Sequence, residues 1–322
     1  MKHTGKIIVL AFPDTFVRMS DELMCKILPL MGIGTRTHVK AGHAALVLIE
    51  NATGNAYYHD FGRYVTPPGK GRVRGANTDA ELAIPFKAII NNDKLENLED
   101  FLVWLNTHPE KTHGSGRLVA SLCDDVNFEL AASYIDSLQS QGSVPYKAFG
   151  NVGSNCSRFV TETILSATDN SFIRRHLTFN KKFTPSTIGN VEKSASSLVF
   201  QVEGGEVKEY GSTALRENLT NYFDKKAPES YKQEKVAKNI PEGAQLLTGI
   251  GSNAYFVLEE IKKGKLCVRR FTEDGEQDFK GYASVPEGFN SKGDYKFVYD
   301  SNCQYCTVEQ DNVAYRLELS VA

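Results

Sequence analysis

The first sustained apolar run is Lys6 to Phe12, KIIVLAF, cut off by Pro13 and Asp14. Its shortness and β-branched content predict a buried strand. The clearest pattern in the chain follows at residues 42–65, GHAALVLIENATGNAYYHDFGRYV. Two β-rich runs flank an Asn-Ala-Thr-Gly-Asn turn and predict a hairpin. Period-3.6 stripes predict helices elsewhere. SDELMCKILPLMG is a short one with Ser20 as its cap, disturbed at Pro29. DKLENLEDFLVWLN brings Leu95, Leu98, Phe101, Leu102 and Leu105 into register. The strand candidate SGRLVASLCD leads to a helix, VNFELAASYIDSLQSQG, closed by Gly142. A further helical stretch, DNSFIRRHL, ends near Leu177. Between hairpin and first long helix, TPPGKGRVRGANTD lacks the spacing of a P-loop and reads as a solvated basic loop at the mouth of a site.

The texture changes after Leu177. NKKFTPSTIGNVEKSAS is polar and predicts a linker. Beyond Ser197 strand-like alternation dominates, in SLVFQVEGGEVKEYG, AYFVLEEIKKGKLCVRRF and GDYKFVYD, with one helical stretch, TALRENLTNYF. The pattern predicts an α+β domain over residues 1–195 and a smaller, mostly β domain over 196–322.

Composition narrows the function. The chain has 322 residues, 41% of them apolar and 24% charged, with a net charge of −2. That balance argues against a dedicated nucleic-acid binder. No apolar run approaches bilayer length, so no stable membrane anchor is expected. The N-terminus reads as a strand rather than a signal peptide, which gives a cytoplasmic expectation; a chain trimmed of its leader would read the same. Six cysteines in so long a chain are not a disulfide scaffold. Cys303 and Cys306 form a C-x-x-C, but no histidine follows His176 and only Cys267 remains in that half. No metal and no cofactor is expected there.

Chemistry concentrates at Gly153–Leu165, GSNCSRFVTETIL. Ser154 or Asn155 caps a helix whose buried stripe is Phe159, Val160, Thr163 and Ile164, so Cys156 falls in the first turn. Free N–H groups and the positive end of the helix dipole favour a thiolate there. A base is required. His43 opens the first hairpin strand directly after Gly42, with AALVLI behind it, and presents an imidazole at a sheet rim. A sheet histidine facing a helix-terminal cysteine is the pairing of papain-like hydrolases.

Asn155-Cys156-Ser157-Arg158-Phe159-Val160 resembles the N-C-x-x-F-V motif of lecithin retinol acyltransferase-like proteins. More broadly, the chain resembles the permuted NlpC/P60 superfamily, including its YiiX-like group, in which the histidine strand precedes the cysteine helix. The resemblance covers roughly residues 1–190 in layout and these two motifs in detail. It implies a circularly permuted papain-like fold with Cys156 and His43 as the catalytic pair, and a third polar residue on the next strand to orient the imidazole. That strand is NAYYHDFGRY, where His59 and Asp60 point to opposite faces, so one of them and not both meets His43. A three- or five-residue hairpin loop selects His59, and a two- or four-residue loop selects Asp60. The acid is the stronger partner for an imidazolium, which favours Asp60. The implied activity is a cysteine hydrolase cleaving a peptide, isopeptide or cell-wall-type amide through a thioester acyl-enzyme. The alternatives are a non-enzymatic module that keeps the cleft for ligand binding, and a thiol acyltransferase acting on lipid.

Overall fold

The computed structural model describes residues 2–150, 152–182, 184–226 and 240–321. The first domain is built on strands β1 (Gly5–Phe12), β2 (His43–Glu50), β3 (Ala56–Gly62), β4 (Lys70–Arg74), β5 (Leu118–Val126), β6 (Val144–Pro145), β7 (Val199–Glu203) and β8 (Glu206–Glu209). They form one sheet in the order β6-β4-β3-β2-β1-β5-β7-β8, with every pairing antiparallel. β1 and β2 lie in the middle and are buried nearly end to end, which is why both read as unbroken apolar runs.

The sheet divides two apolar layers. On one side Ile7, Val9, Leu46 and Leu48 pack against helices α2 (Phe128–Ser140), α3 (Cys156–Ala167), α4 (Ser171–Asn180) and α5 (Thr187–Ser194). On the other, Ile8, Leu10, Val47 and Ile49 meet α1 (Leu98–Thr107) through Phe101, Leu102 and Leu105. Each fully buried side chain of this kind contributes roughly 1.5–3 kcal/mol.

Three segments depart from the sequence expectations. The basic stretch after the hairpin contains β4, a strand of the main sheet, rather than a solvated loop. Its polar positions, Arg72 and Arg74, are buried, and Val73 joins the helical layer on the opposite face. The polar linker contains α5, packed against β1 and β5. Its polar residues are internally satisfied: Asn190 donates to the Ser157 carbonyl at 2.7 Å, and Thr161 donates to Asn190 at 2.8 Å. Phe183 lies outside the described residues.

The third departure moves the domain border. Strand β7 pairs with β5 through Val199–Ser121 to Val202–Leu118, so the hairpin expected in the second domain extends the first domain's sheet. Helix α6 (Ala214–Tyr222) follows it, with Asn221 donating to the Pro13 carbonyl at 2.9 Å. The first domain therefore runs past residue 195 and includes α6.

The smaller domain is all-β among the described residues. Strands β9 (Gln245–Leu247), β10 (Ala254–Lys262), β11 (Lys265–Thr272), β12 (Gln277–Ser284) and β16 (Ser320–Val321) form one sheet. Strands β13 (Lys296–Val298), β14 (Tyr305–Gln310) and β15 (Val313–Glu318) form a second, and Phe256, Leu266, Val268, Phe297, Val308 and Leu317 fill the space between.

The two domains meet at residues 63–82, next to β3 and β4. Val65 donates its N–H to the Ser252 carbonyl at 3.1 Å, and Cys303 donates its own to that of Thr78 at 2.9 Å. Asp79 is gripped from both sides. Arg72 binds it with two bonds of 2.6 and 2.7 Å, and Arg270 of the second domain reaches it at 2.9 Å. Arg270 also donates to Glu81 at 2.9 Å and to Asp278 at 2.7 Å. The cluster is buried, so each charge depends on its partners.

Candidate active site

Register decides which hairpin residue meets His43. The Glu50 N–H bonds the Asn55 carbonyl, leaving a four-residue loop, Asn51 to Gly54. Ala45 then stands opposite Asp60, and Leu46 opposite His59. Asp60 thus shares the face of Ala45 and, by the two-residue period, of His43. His43 Nε2 donates to Asp60 Oδ2 at 3.2 Å. His59 is half-buried on the other face, with Nδ1 3.2 Å from the Arg74 carbonyl, and desolvation lowers its pKa to about 4.

Gly42 sets the entry to β2. It adopts φ +76°, and a Cβ there would lie 2.9 Å from Thr187 Oγ1 and 3.1 Å from the Phe12 carbonyl. The position tolerates glycine for both reasons.

Helix α3 begins with Cys156, as its N-terminal signals required. Asn155 is the cap: its side chain accepts the Arg158 N–H at 2.9 Å and donates to the Lys147 carbonyl at 2.8 Å. The helix lays Phe159, Val160 and Ile164 against the sheet, which brings its first turn to the end of β2. There the imidazole of His43 interacts with the Asp60 carboxylate and the Cys156 thiol. With Nε2 turned to Asp60, Nδ1 is the nitrogen left for sulfur.

The electrostatics follow from this geometry. Burial alone would depress the His43 pKa. Hydrogen bonds to Asp60 and Cys156, and their negative charge, outweigh it and raise the pKa to about 9. Burial likewise opposes ionisation of Asp60, but the charge of Arg74, reinforced by the His43 bond, holds its carboxyl well below the usual range. Arg74 clamps Asp60 with two bonds, Nε to Oδ1 at 2.9 Å and Nη2 to Oδ2 at 2.6 Å. Tyr58 adds a third donor at 3.2 Å, and the Arg74 guanidinium lies 3.8 Å from the centre of the Tyr64 ring.

Arg74, Tyr58 and Tyr64 escaped the sequence reading. The one signal was the alternation Arg72-Val73-Arg74, which fits a strand with one charged and one apolar face.

The sign of the pH dependence is fixed by these shifts. A histidine in an unfolded chain titrates near ~6.5. With a folded value of about 9, His43 contributes stability in full below ~6.5 and loses it as pH rises through about 9. Urea midpoints are therefore expected to fall between pH 6.5 and 9. A His43→Gln variant should lose that slope, and a parent midpoint flat across this range would contradict the assignment.

Other thiols are differently placed. All six cysteines are free and buried. Burial pushes Cys123 and Cys306 up to about 12 and raises Cys303 well above the usual thiol range. Among the described residues no cluster of three or more His, Cys, Asp or Glu could hold a metal ion, and no helix is long and apolar enough to cross a membrane.

Comparison with known proteins places the chain. The family model described as type VI secretion system effector TseH-like matches residues 7–173, just over half of the chain and inside the first domain. A model described as the DUF6695 C-terminal domain matches residues 244–320, the smaller β domain. A solved structure titled as the type VI secretion system effector TseH aligns over 65% of this chain and 99% of its own, at 18% identity and a TM-score of 0.41. Among curated proteins no relative matches. By the extent of the first match, the chain belongs to the type VI secretion system effector TseH-like family.

Proposed function

We propose that the first domain is a permuted papain-like (NlpC/P60) cysteine hydrolase, and that the protein is an exported effector, as its family's name describes. The observation that carries this reading is the constellation Asp60–His43–Cys156 at a helix N-terminus. Each group has a role that its surroundings support. Cys156 is the nucleophile. His43, held charged by Asp60, pairs with the thiolate. Asp60, held ionised by Arg74, orients the ring and keeps it protonated.

The reaction runs in two halves. The Cys156 thiolate attacks the carbonyl carbon of an amide and a C–S bond forms. The oxyanion sits at the Cys156 N–H at the start of α3, which has no intrahelical partner. The C–N bond then breaks, and His43 gives its proton to the departing amine. Water attacks the thioester, His43 takes a proton from it, and the C–S bond breaks to release acid and thiolate. A cell-wall-type peptide suits this chemistry. The second domain bonds to residues 63–82, the segment that carries Arg74.

The test is trapping. A peptide-amide hydrolysate of cell-wall material, incubated with the protein and quenched in acid, should leave a mass adduct on Cys156 and none on a Cys156→Ala variant. Turnover should fall as pH rises through about 9, where His43 loses the proton that the leaving amine needs. Hydrolysis that persists in Cys156→Ala would overturn the reading.

A further inference from the structure

Cys156 opens onto a pocket of about 250 Å³. Val17, Leu28, Ile33, Val39, Ala148 and Phe149 contribute to its walls, and its exposed lining is overwhelmingly apolar. An amide hydrolase that took only polar peptides would have no use for such a space beside its sulfur. Water in an apolar cavity lacks the partners it needs, so the pocket gains by being filled with hydrocarbon.

We infer that this pocket is the acyl subsite of the reaction proposed above: it receives an aliphatic or aromatic group attached to the carbonyl that Cys156 attacks. The inference rests on that reading for its chemistry. Its geometry is independent of it. Cys156 is itself part of the lining, so a group bound in the pocket is the one that remains joined to sulfur when the amine leaves. A cavity of about 150 Å³ already accommodates benzene. At about 30 Å³ for each water-sized group, 250 Å³ takes roughly eight methylenes.

The wall formed by residues 20–33 has a second apolar side. Leu23, Leu30 and Met31 are 74%, 86% and 64% exposed, while Cys25, Leu28 and Ile33 of the same segment face the pocket. Apolar surface gathered in this way beside a binding site is unusual for a free-standing protein. The acyl group has two chemical sources, an apolar residue of a peptide or the chain of a lipid, and both present the same hydrocarbon to the pocket.

The experiment has three arms. In the first, the full chain is alkylated with N-methyl, N-butyl, N-octyl and N-dodecyl iodoacetamide, each displacing iodide to form a thioether, and Cys156 is followed by peptide mapping in a Cys25→Ser background. The rate is expected to rise with chain length, by up to about fourfold per buried methylene, and to level off near eight carbons. Ala148→Phe should move that plateau to shorter chains. A flat series overturns the inference whether or not the protein hydrolyses anything. The second arm measures release of a coumarin amine from peptides with Ala, Leu or Phe at the reacting carbonyl. The third measures acid release from phosphatidylcholine vesicles. A preference for Leu and Phe over Ala identifies the peptide source, and turnover of the vesicles identifies the lipid source. A rising alkylation series with no turnover in either arm supports the pocket and defeats the hydrolase.

Discussion

Asp60→Asn is expected to lower turnover by roughly 10⁴-fold, the scale seen when the acid of a Ser-His-Asp triad loses its charge. Two effects combine. The imidazole loses the partner that fixes its tautomer, and it loses a main cause of its raised pKa, so burial takes over and the upper pH limit of activity moves down. The same substitution carries a structural cost. Arg74 is buried and makes both of its strong bonds to Asp60, at 2.9 and 2.6 Å. Orphaning it should cost about 3–5 kcal/mol. The two consequences separate in a double variant. Asp60→Asn with Arg74→Met removes the stranded charge and should recover much of the urea midpoint, while turnover stays low. His59→Gln should keep turnover close to the parent's and lose about 1 kcal/mol, because that ring lies on the other face and bonds only backbone. Recovery of activity in the double variant would show that Arg74, and not the Asp60 charge, mattered to the reaction.

The contrast between these residues explains what the sequence disclosed. His43, Cys156 and the hairpin were legible because their signals are local: a strand start after glycine, a cap before a helix, and alternation on either side of a turn. The choice between His59 and Asp60 depended on one extra or missing loop residue, and only the Glu50–Asn55 pair settles the geometry. Arg74 was hidden for a different reason. Buried arginines violate the rule that polar runs are solvated, and their justification lies in carboxylates elsewhere: Asp60, 14 residues back, for Arg74, and Asp79 for Arg72. Helix α5 was hidden likewise, since Asn190 and Ser194 look like linker residues until their partners on α3 and within the helix are known. Polar segments buried by mutual satisfaction leave no period in the hydropathy pattern.

Strand β7 illustrates the last gap, and it carries the second large effect. Val199, Phe200 and Val202 announce a strand but not which sheet receives it. Because β7 covers the open edge of β5 and buries Val202 completely, a fragment ending at residue 196 is expected to aggregate on expression. It would also lose α6, whose Asn221 ties down the Pro13 carbonyl and whose Tyr222 lines the pocket beside Cys156. A fragment ending at residue 226 keeps the whole sheet and should fold, with Cys156 still reactive toward iodoacetamide. It should melt at lower temperature than the full chain, because Asp79 keeps Arg72 and loses Arg270. Arg270→Met in the full chain isolates that last contribution. It leaves Asp79 and Asp278 short of a buried counter-charge, at a cost of about 3–5 kcal/mol. Circular dichroism of the two fragments, thermal melts of the three proteins and thiol mapping measure all of this. A soluble, cooperatively folded 1–196 fragment with a reactive Cys156 would show that the β7–β8 hairpin is an ornament on the sheet rather than part of its core.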